Sequence, residues 1–131
     1  MIIEWSKMSC IERDAEVSEE VMGRCAHREL WGTPPQDCTC VCGVRVFKET
    51  MEDQTWSPRY TTQIARAWEV VIKVWSLGFV TQIAFGAFST CQMGNAGTGG
   101  DDLHISFCER VEEAICMTAL KTRGLKIVDG E

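Results

Sequence analysis

The sequence lacks several features that mark common functional classes. No apolar run approaches the roughly 18 residues that a membrane-spanning helix needs, so we expect no membrane association. The first residues show no basic segment followed by an apolar one, so we expect no secretory signal and a cytoplasmic protein. Basic residues are scarce: 13 Lys and Arg stand against 19 Asp and Glu, a net charge of −6. This balance excludes general nucleic-acid binding and allows a local basic patch.

Histidine is also scarce, and this limits the chemistry available to the chain. Two histidines are a thin supply for acid–base catalysis. The sequence contains neither a nucleophile elbow nor a His-Glu-x-x-His pattern, so no catalytic set stands out.

The composition is that of an ordinary soluble globule. Hydrophobic residues make up 45% of the 131 residues and charged residues 24%, which is enough apolar side chain to offset the chain entropy of folding. The length fits one domain, residues 1–131. Eight cysteines are unusual, but the expected compartment and the long helical patterns predict reduced thiols rather than a disulfide framework.

Hydrophobic spacing predicts three helices. They cover residues 10–22, 62–77 and 108–123. Ser9 with Glu12, and Ser106 with Glu109, form capping-box patterns at the first and third helices. A glycine follows each helix and is a natural stop.

The second helix has the most apolar pattern. It follows Pro58, and Thr61 or Thr62 is the expected cap. Its apolar residues extend well beyond one seam, so we expect it to be the central helix, with Trp68 and Trp75 in the core.

Strand patterns lie between the helices, and the resulting order predicts the fold class. They cover residues 38–47, 79–90, 103–107 and 125–128, and the first is either continuous or broken at Gly43. The second pattern is one long strand with a bulge near Gly86 or a pair of strands, and the last is an edge strand or a frayed tail. Residues 94–102 form the expected hairpin loop. We predict an α+β fold, a three-layer α-β-α sandwich with about three helices packed on a small antiparallel sheet.

Three segments resemble the phage ABA-sandwich domain family. Residues 58–71 read Pro-Arg-Tyr-Thr-Thr-Gln-Ile-Ala-Arg-Ala-Trp-Glu-Val-Val, where the family has roughly Pro-x-Tyr-Ser-Thr-Asp-Ile-x-Ala-Ala-Trp-Glu-Val-Val. Residues 113–120 read Glu-Ala-Ile-Cys-Met-Thr-Ala-Leu, similar to its C-terminal Ala-Ile-Cys-x-Ala-Ala-Leu. Residues 21–23 read Val-Met-Gly, as after its first helix. The matches occur in the family's order and cover most of the chain.

The resemblance implies an α-β-α sandwich encoded by a phage or prophage and acting in the cytoplasm of the infected bacterium. It implies no reaction. The chain departs from the pattern at residues 61–63 and in the long loop at 94–102. Arg66 stands where the family has a small residue, which suggests a specialised role.

Cysteine and histidine spacing suggests a zinc site. Cys25, His27, Cys38 and Cys40 supply thiolate and imidazole, the ligands that zinc prefers, and Cys42 is an alternative to one of them. The other interpretation is a stripe of small apolar side chains in a core, since Cys-x-Cys is a weaker pattern than paired Cys-x-x-Cys. Zinc is the one cofactor that the sequence suggests, in a structural role.

A second candidate site lies where the second helix begins. Trp56, Arg59 and Tyr60 combine aromatic surface with a guanidinium, which suits a nucleotide-like or anionic ligand, and Arg66 follows in the first helical turn. The alternative is that Trp56 packs the incoming chain onto the helix.

The glycine-rich segment at residues 94–100 is the third candidate. Its backbone N–H groups suit an anion, but it lacks a P-loop ending and joins two strands, so we favour a flexible hairpin tip. Asp101, Asp102 and His104 follow it and would serve an enzyme or a metal, but we favour a solvated turn followed by a histidine in a strand.

Three functional hypotheses remain. The first is a non-catalytic phage accessory protein that captures a small, nucleotide-like ligand or a host protein against bacterial defence, and a homo-oligomer fits this hypothesis. The second is a structural or regulatory phage protein with a zinc-stapled subdomain. The third is a nucleotide-processing enzyme.

Overall fold

The computed structural model describes the side chains of residues 2–25, 58–95 and 103–128, and the backbone of residues 30–31, 36–40 and 45–48. Its helices are α1 Cys10–Glu16, α2 Ile64–Ser76 and α3 Val111–Thr122. Its strands are β1 Ile2–Glu4, β2 Leu30–Trp31, β3 Gln36–Cys40, β4 Arg45–Lys48, β5 Phe79–Ala84, β6 Ser89–Asn95, β7 Leu103–Cys108 and β8 Lys126–Val128. The α+β class is confirmed.

Helix α1 begins as the sequence predicts. The Glu12 backbone N–H donates to Ser9 Oγ at 3.2 Å, which satisfies one of the N–H groups that a helix start leaves unpaired. The chain continues as a π-helical turn, Val17–Val21, and ends at Gly23, whose φ of 68° favours glycine. The predicted helix over residues 10–22 is therefore confirmed, with its last part wound more widely.

Helix α2 differs from the prediction at its start and in its burial. It begins at Ile64, and Thr61 does not cap it because the Thr61 hydroxyl donates to Asp14 instead. Trp68 and Trp75 are 52% and 71% exposed, so their placement in the core was wrong. At 100° per residue both tryptophans lie more than about 100° around the helix from its buried face.

Helix α3, rather than α2, is the central helix. Every residue from 114 to 120 is buried, because α2, the π-helical turn, strands β6 and β7, and β8 surround it. The predicted Ser106 cap was wrong as well. Ser106 pairs with Cys91 across β6 and β7, so the chain stays extended until Arg110, the N-cap residue. Strand pairing outweighs the local capping pattern here.

Strands β5, β6 and β7 form an antiparallel sheet in that order. Residues 79–90 are therefore two strands joined by a hairpin, the second of the two predicted alternatives. Gly94 lies in β6, opposite Val80 and Leu103, and not in a loop. Helices α2 and α3 pack on one face of this sheet.

The opposite sheet face is apolar and exposed. Ser106 of β7, which pairs with Cys91 of β6, points toward the helices. Successive side chains of a strand point to opposite faces, so Leu103 and Phe107 point away from the helices. These two side chains are exposed, as is Val80 beside them on β5.

Two smaller sheets complete the described strands. Strand β8 pairs in parallel with β1, Ile127 beside Ile3, which confirms a short strand within residues 125–128. The sequence did not indicate β1. Strands β2, β3 and β4 form an antiparallel meander, so the segment predicted as a strand over residues 38–47 contributes to two strands. In the described part of the chain, none of the helices is long and apolar enough to cross a membrane.

Candidate functional site

A buried carboxylate holds the turn at residues 58–63 against α1. Asp14 is 4% exposed, and its Oδ1 accepts from the Thr61 backbone N–H at 2.9 Å and from the Thr61 hydroxyl at 2.7 Å. Burial raises the pKa of Asp14 above its usual 3.8, while the Thr61 hydrogen bonds and the charges of Arg59 and Arg13 oppose that rise. Asp14 thus fixes the backbone that presents Arg59.

The same turn lies beside the start of α3. Arg110 Nη2 donates to the Thr62 carbonyl oxygen at 3.0 Å, so the N-terminal ends of α2 and α3 are adjacent. Helix α2 has no acidic residue in its first turn and no side-chain cap. Helix N-termini carry a partial positive charge, which favours an anion at the start of α2, whereas Glu112 and Glu113 in the first turn of α3 already lie at the positive end of that helix.

Tyr60 and Arg66 come together at the first turn of α2. Tyr60 is fully buried, and its hydroxyl lies near the Arg24 side chain without a hydrogen bond of good geometry. Burial raises the pKa of Tyr60; the charges of Arg24 and Arg66 oppose the rise and that of Glu69 adds to it. Arg66 Nη1 lies 3.2 Å from Glu69 Oε1 in an exposed pair. Arg24 therefore belongs to this neighbourhood, although it is distant in sequence.

We call these four exposed side chains the arginine cluster: Arg24, Arg59, Arg66 and Arg110. A guanidinium presents donors in a fixed fork that matches phosphate and carboxylate oxygens. Arg66 pairs with Glu69 and Arg110 with Glu112, so carboxylates balance part of the positive charge of the cluster.

The structure places the predicted ligand-binding residues unequally. Arg59, Tyr60 and Arg66 all lie at the start of α2, but Tyr60 has no solvent-facing surface. Trp56 lies outside the described residues, and its role stays a prediction. The sequence analysis missed Arg24 and Arg110, because neither lies near α2 along the chain.

The zinc prediction falls largely outside the described side chains. Cys25 is exposed, His27 lies outside the described residues, and Cys38 and Cys40 are in β3, where only the backbone is described. Leu30 pairs with Cys40, so β2 begins at the Cys40 end of β3. Among the side chains that are described, no group of three or more Cys, His, Asp or Glu could hold a metal. The zinc site stays a prediction.

The third candidate, after the glycine-rich loop, is only partly described. Asp101 and Asp102 lie outside the described residues. His104 is half-buried in β7, with its ring centroid 6.3 Å from that of Phe79. This packing contact gives the enzyme hypothesis no added support.

A second basic region lines an open cavity of about 360 Å³ at the other end of α3. His104, Lys121 and Lys126 contribute to its wall. Lys121 Nζ donates to the Ile105 carbonyl oxygen at 2.7 Å, and its charge lies near the negative C-terminal end of α3. Lys121 therefore serves the fold, and the arginine cluster is the stronger candidate site.

Comparison with known proteins shows a likeness of fold. The structure is similar to the crystal structure of a phage protein from Bacillus cereus ATCC 14579, with a TM-score of 0.61 and 16% sequence identity over 92% of this chain and 93% of that one. No family model matches the chain, and no curated protein matches it. At this sequence identity the likeness shows the fold alone, and membership of the ABA-sandwich family is not shown.

Proposed function

We propose that this chain is a phage-encoded accessory protein that captures a small anionic, nucleotide-like ligand without converting it, and so counters a bacterial defence. The arginine cluster at the adjacent starts of α2 and α3 is the observation that carries the proposal. The fold shared with a phage protein supports the viral setting.

The chemistry of the cluster favours an anionic ligand with phosphate or carboxylate groups. The N-terminus of α2, which has no acidic residue in its first turn, adds partial positive charge to the guanidinium groups of Arg59 and Arg66 on the same short segment. Asp14 and Thr61 hold that segment in place beforehand, which lowers the ordering cost of binding. A ligand with two phosphates would use both guanidinium groups.

The test begins with a thermal-shift screen against nucleotides and cyclic dinucleotides, because a ligand that binds the folded state raises its melting temperature. For a hit, titration calorimetry should show that Arg59→Ala weakens binding by about 1.5–3 kcal/mol, as for a lost charged hydrogen bond. Arg66→Ala should weaken it similarly.

The matched control is Arg123→Ala, which removes the same charge just after the opposite end of α3, about 18 Å away along that helix. Equal losses in the Arg59 and Arg123 variants would indicate a general charge effect and contradict the assignment of the site. The ligand should be recovered intact after heat denaturation, whereas a chemically altered ligand would support the enzyme hypothesis. If the screen gives no hit, and the chain instead captures one host protein that the Arg59→Ala variant does not capture, the ligand of this site is a protein and not a small molecule.

A further inference from the structure

Helix α2 carries a row of large apolar side chains that remain exposed among the described residues. Ile64, Trp68, Ile72 and Trp75 recur at intervals of four, four and three residues, so they lie on one face. Their exposed fractions are 52%, 52%, 56% and 71%. We call this row the α2 stripe.

The α2 stripe continues the buried face of the same helix. Ala67, Val70 and Val74 are fully buried, and half-buried Val71 lies between them and the stripe around the helix. The apolar arc of α2 is therefore about twice as wide as the face that the protomer covers. Apolar patches of this extent on a soluble protein are typical of interaction sites.

The area of the stripe matches what a symmetric dimer needs. With aromatic side chains of roughly 150–250 Å² each, its exposed part amounts to about 500 Å² per protomer. Complete burial of both stripes would remove about 1,000 Å² from solvent, which reaches the lower limit for a specific interface. Tryptophan is also the residue most enriched among those that dominate binding energy.

The charges on α2 permit pairing with itself. Arg66 and Lys73 lie about 140° or more around the helix from the centre of the stripe, and Glu69, about 105° away, pairs with Arg66, so two copies would not bring unpaired like charges together. The flank nearest the stripe carries Ala65 and Ser76, which are small enough for close approach. In an antiparallel pair, Trp68 of one copy would lie beside Ile72 of the other.

We propose that the α2 stripe is the interface of a homodimer in which the α2 helices of two copies pack antiparallel about a two-fold axis. The two-fold makes the patch self-complementary, as in most homodimers. Arg66 faces away from the axis, so the dimer leaves it accessible. The inference is independent of the proposed ligand.

Analytical ultracentrifugation of the full chain over a concentration series tests the dimer. Trp75→Glu should leave a folded monomer, because this side chain is largely exposed within the protomer. Loss of a dominant tryptophan weakens an interface by at least about 30-fold, and each dimer contains two copies, so the dissociation constant should rise by about 1,000-fold. Trp68→Glu should act alike. The melting temperature of the unmodified chain should rise with concentration, and that of both variants should not.

The matched control is Phe107→Glu, which places the same charge on the exposed sheet face at a side chain that is 65% exposed. This variant should still dimerise. A wild-type chain that stays monomeric at all concentrations, or a dimer broken by Phe107→Glu and retained by Trp75→Glu, would overturn the proposal. Circular dichroism of each variant confirms that the chain is folded.

Discussion

The buried Asp14–Thr61 contact gives the sharpest prediction, because one carboxylate oxygen holds two parts of the chain 47 residues apart. Asp14→Ala removes the acceptor of both hydrogen bonds and leaves the Thr61 N–H without a partner in the core. A hydrogen bond to a charged group contributes about 1.5–3 kcal/mol, and part of this is offset because the variant no longer buries a charge. We expect the free energy of unfolding in urea to fall by about 2–4 kcal/mol.

Asp14→Asn separates the acceptor from the charge. The amide oxygen can accept both bonds from Thr61, so we expect a change of less than about 1 kcal/mol at neutral pH. An asparagine variant as unstable as the alanine variant would refute the reasoning, because it would mean that the negative charge, and not the acceptor, stabilises the turn.

The pH dependence supplies a second check on Asp14. Its pKa is raised in the folded state, so the folded chain binds more protons than the unfolded chain in the window above pH 3.8. The Asp14 contribution to stability is therefore full below that pH and declines as the pH rises through the folded-state pKa. As the pH rises through that window, the wild-type chain should lose stability relative to the Asp14→Asn variant. A shift in the other direction would contradict the burial argument.

Two further predictions concern the core and the thiols. Arg13 donates to the Trp5 carbonyl oxygen through Nε at 3.0 Å and Nη2 at 2.6 Å, and its Nη1 pairs with Glu113 at 2.6 Å. Lysine lacks this fork of donors, so Arg13→Lys should lower the free energy of unfolding in urea by about 1–2 kcal/mol. An unchanged value would show that a point charge suffices. Burial raises the pKa of Cys91 to about 11, so this thiol should react with iodoacetamide at pH 8 only after unfolding. Cys10 is exposed and should react in the folded chain. Equal labelling rates of the two cysteines, measured by mass spectrometry, would contradict this.

Local pattern determined where most of the elements lie. The Ser9 cap and the stop at Gly23 are local features, so α1 and its end could be predicted from neighbouring residues alone. The apolar spacing of α2 and α3 and the alternation in β7 depend on the same short-range periods. Arg59 and Arg66 could be predicted to lie close together for the same reason, since they flank one helix start, and their role in a site stays a prediction.

Tertiary structure decided which face of each element is buried and which distant side chains meet. Periodicity shows that α2 has a wide apolar arc, but only packing against α3 and β5 selects Val70 and Val74 for the core and leaves Trp75 outside. The Asp14–Thr61 contact and the approach of Arg110 to α2 join residues more than 45 positions apart, and no local pattern encodes them. A side chain is buried only where the face of its own element packs against another element, and a single segment of sequence specifies only the first of these two faces.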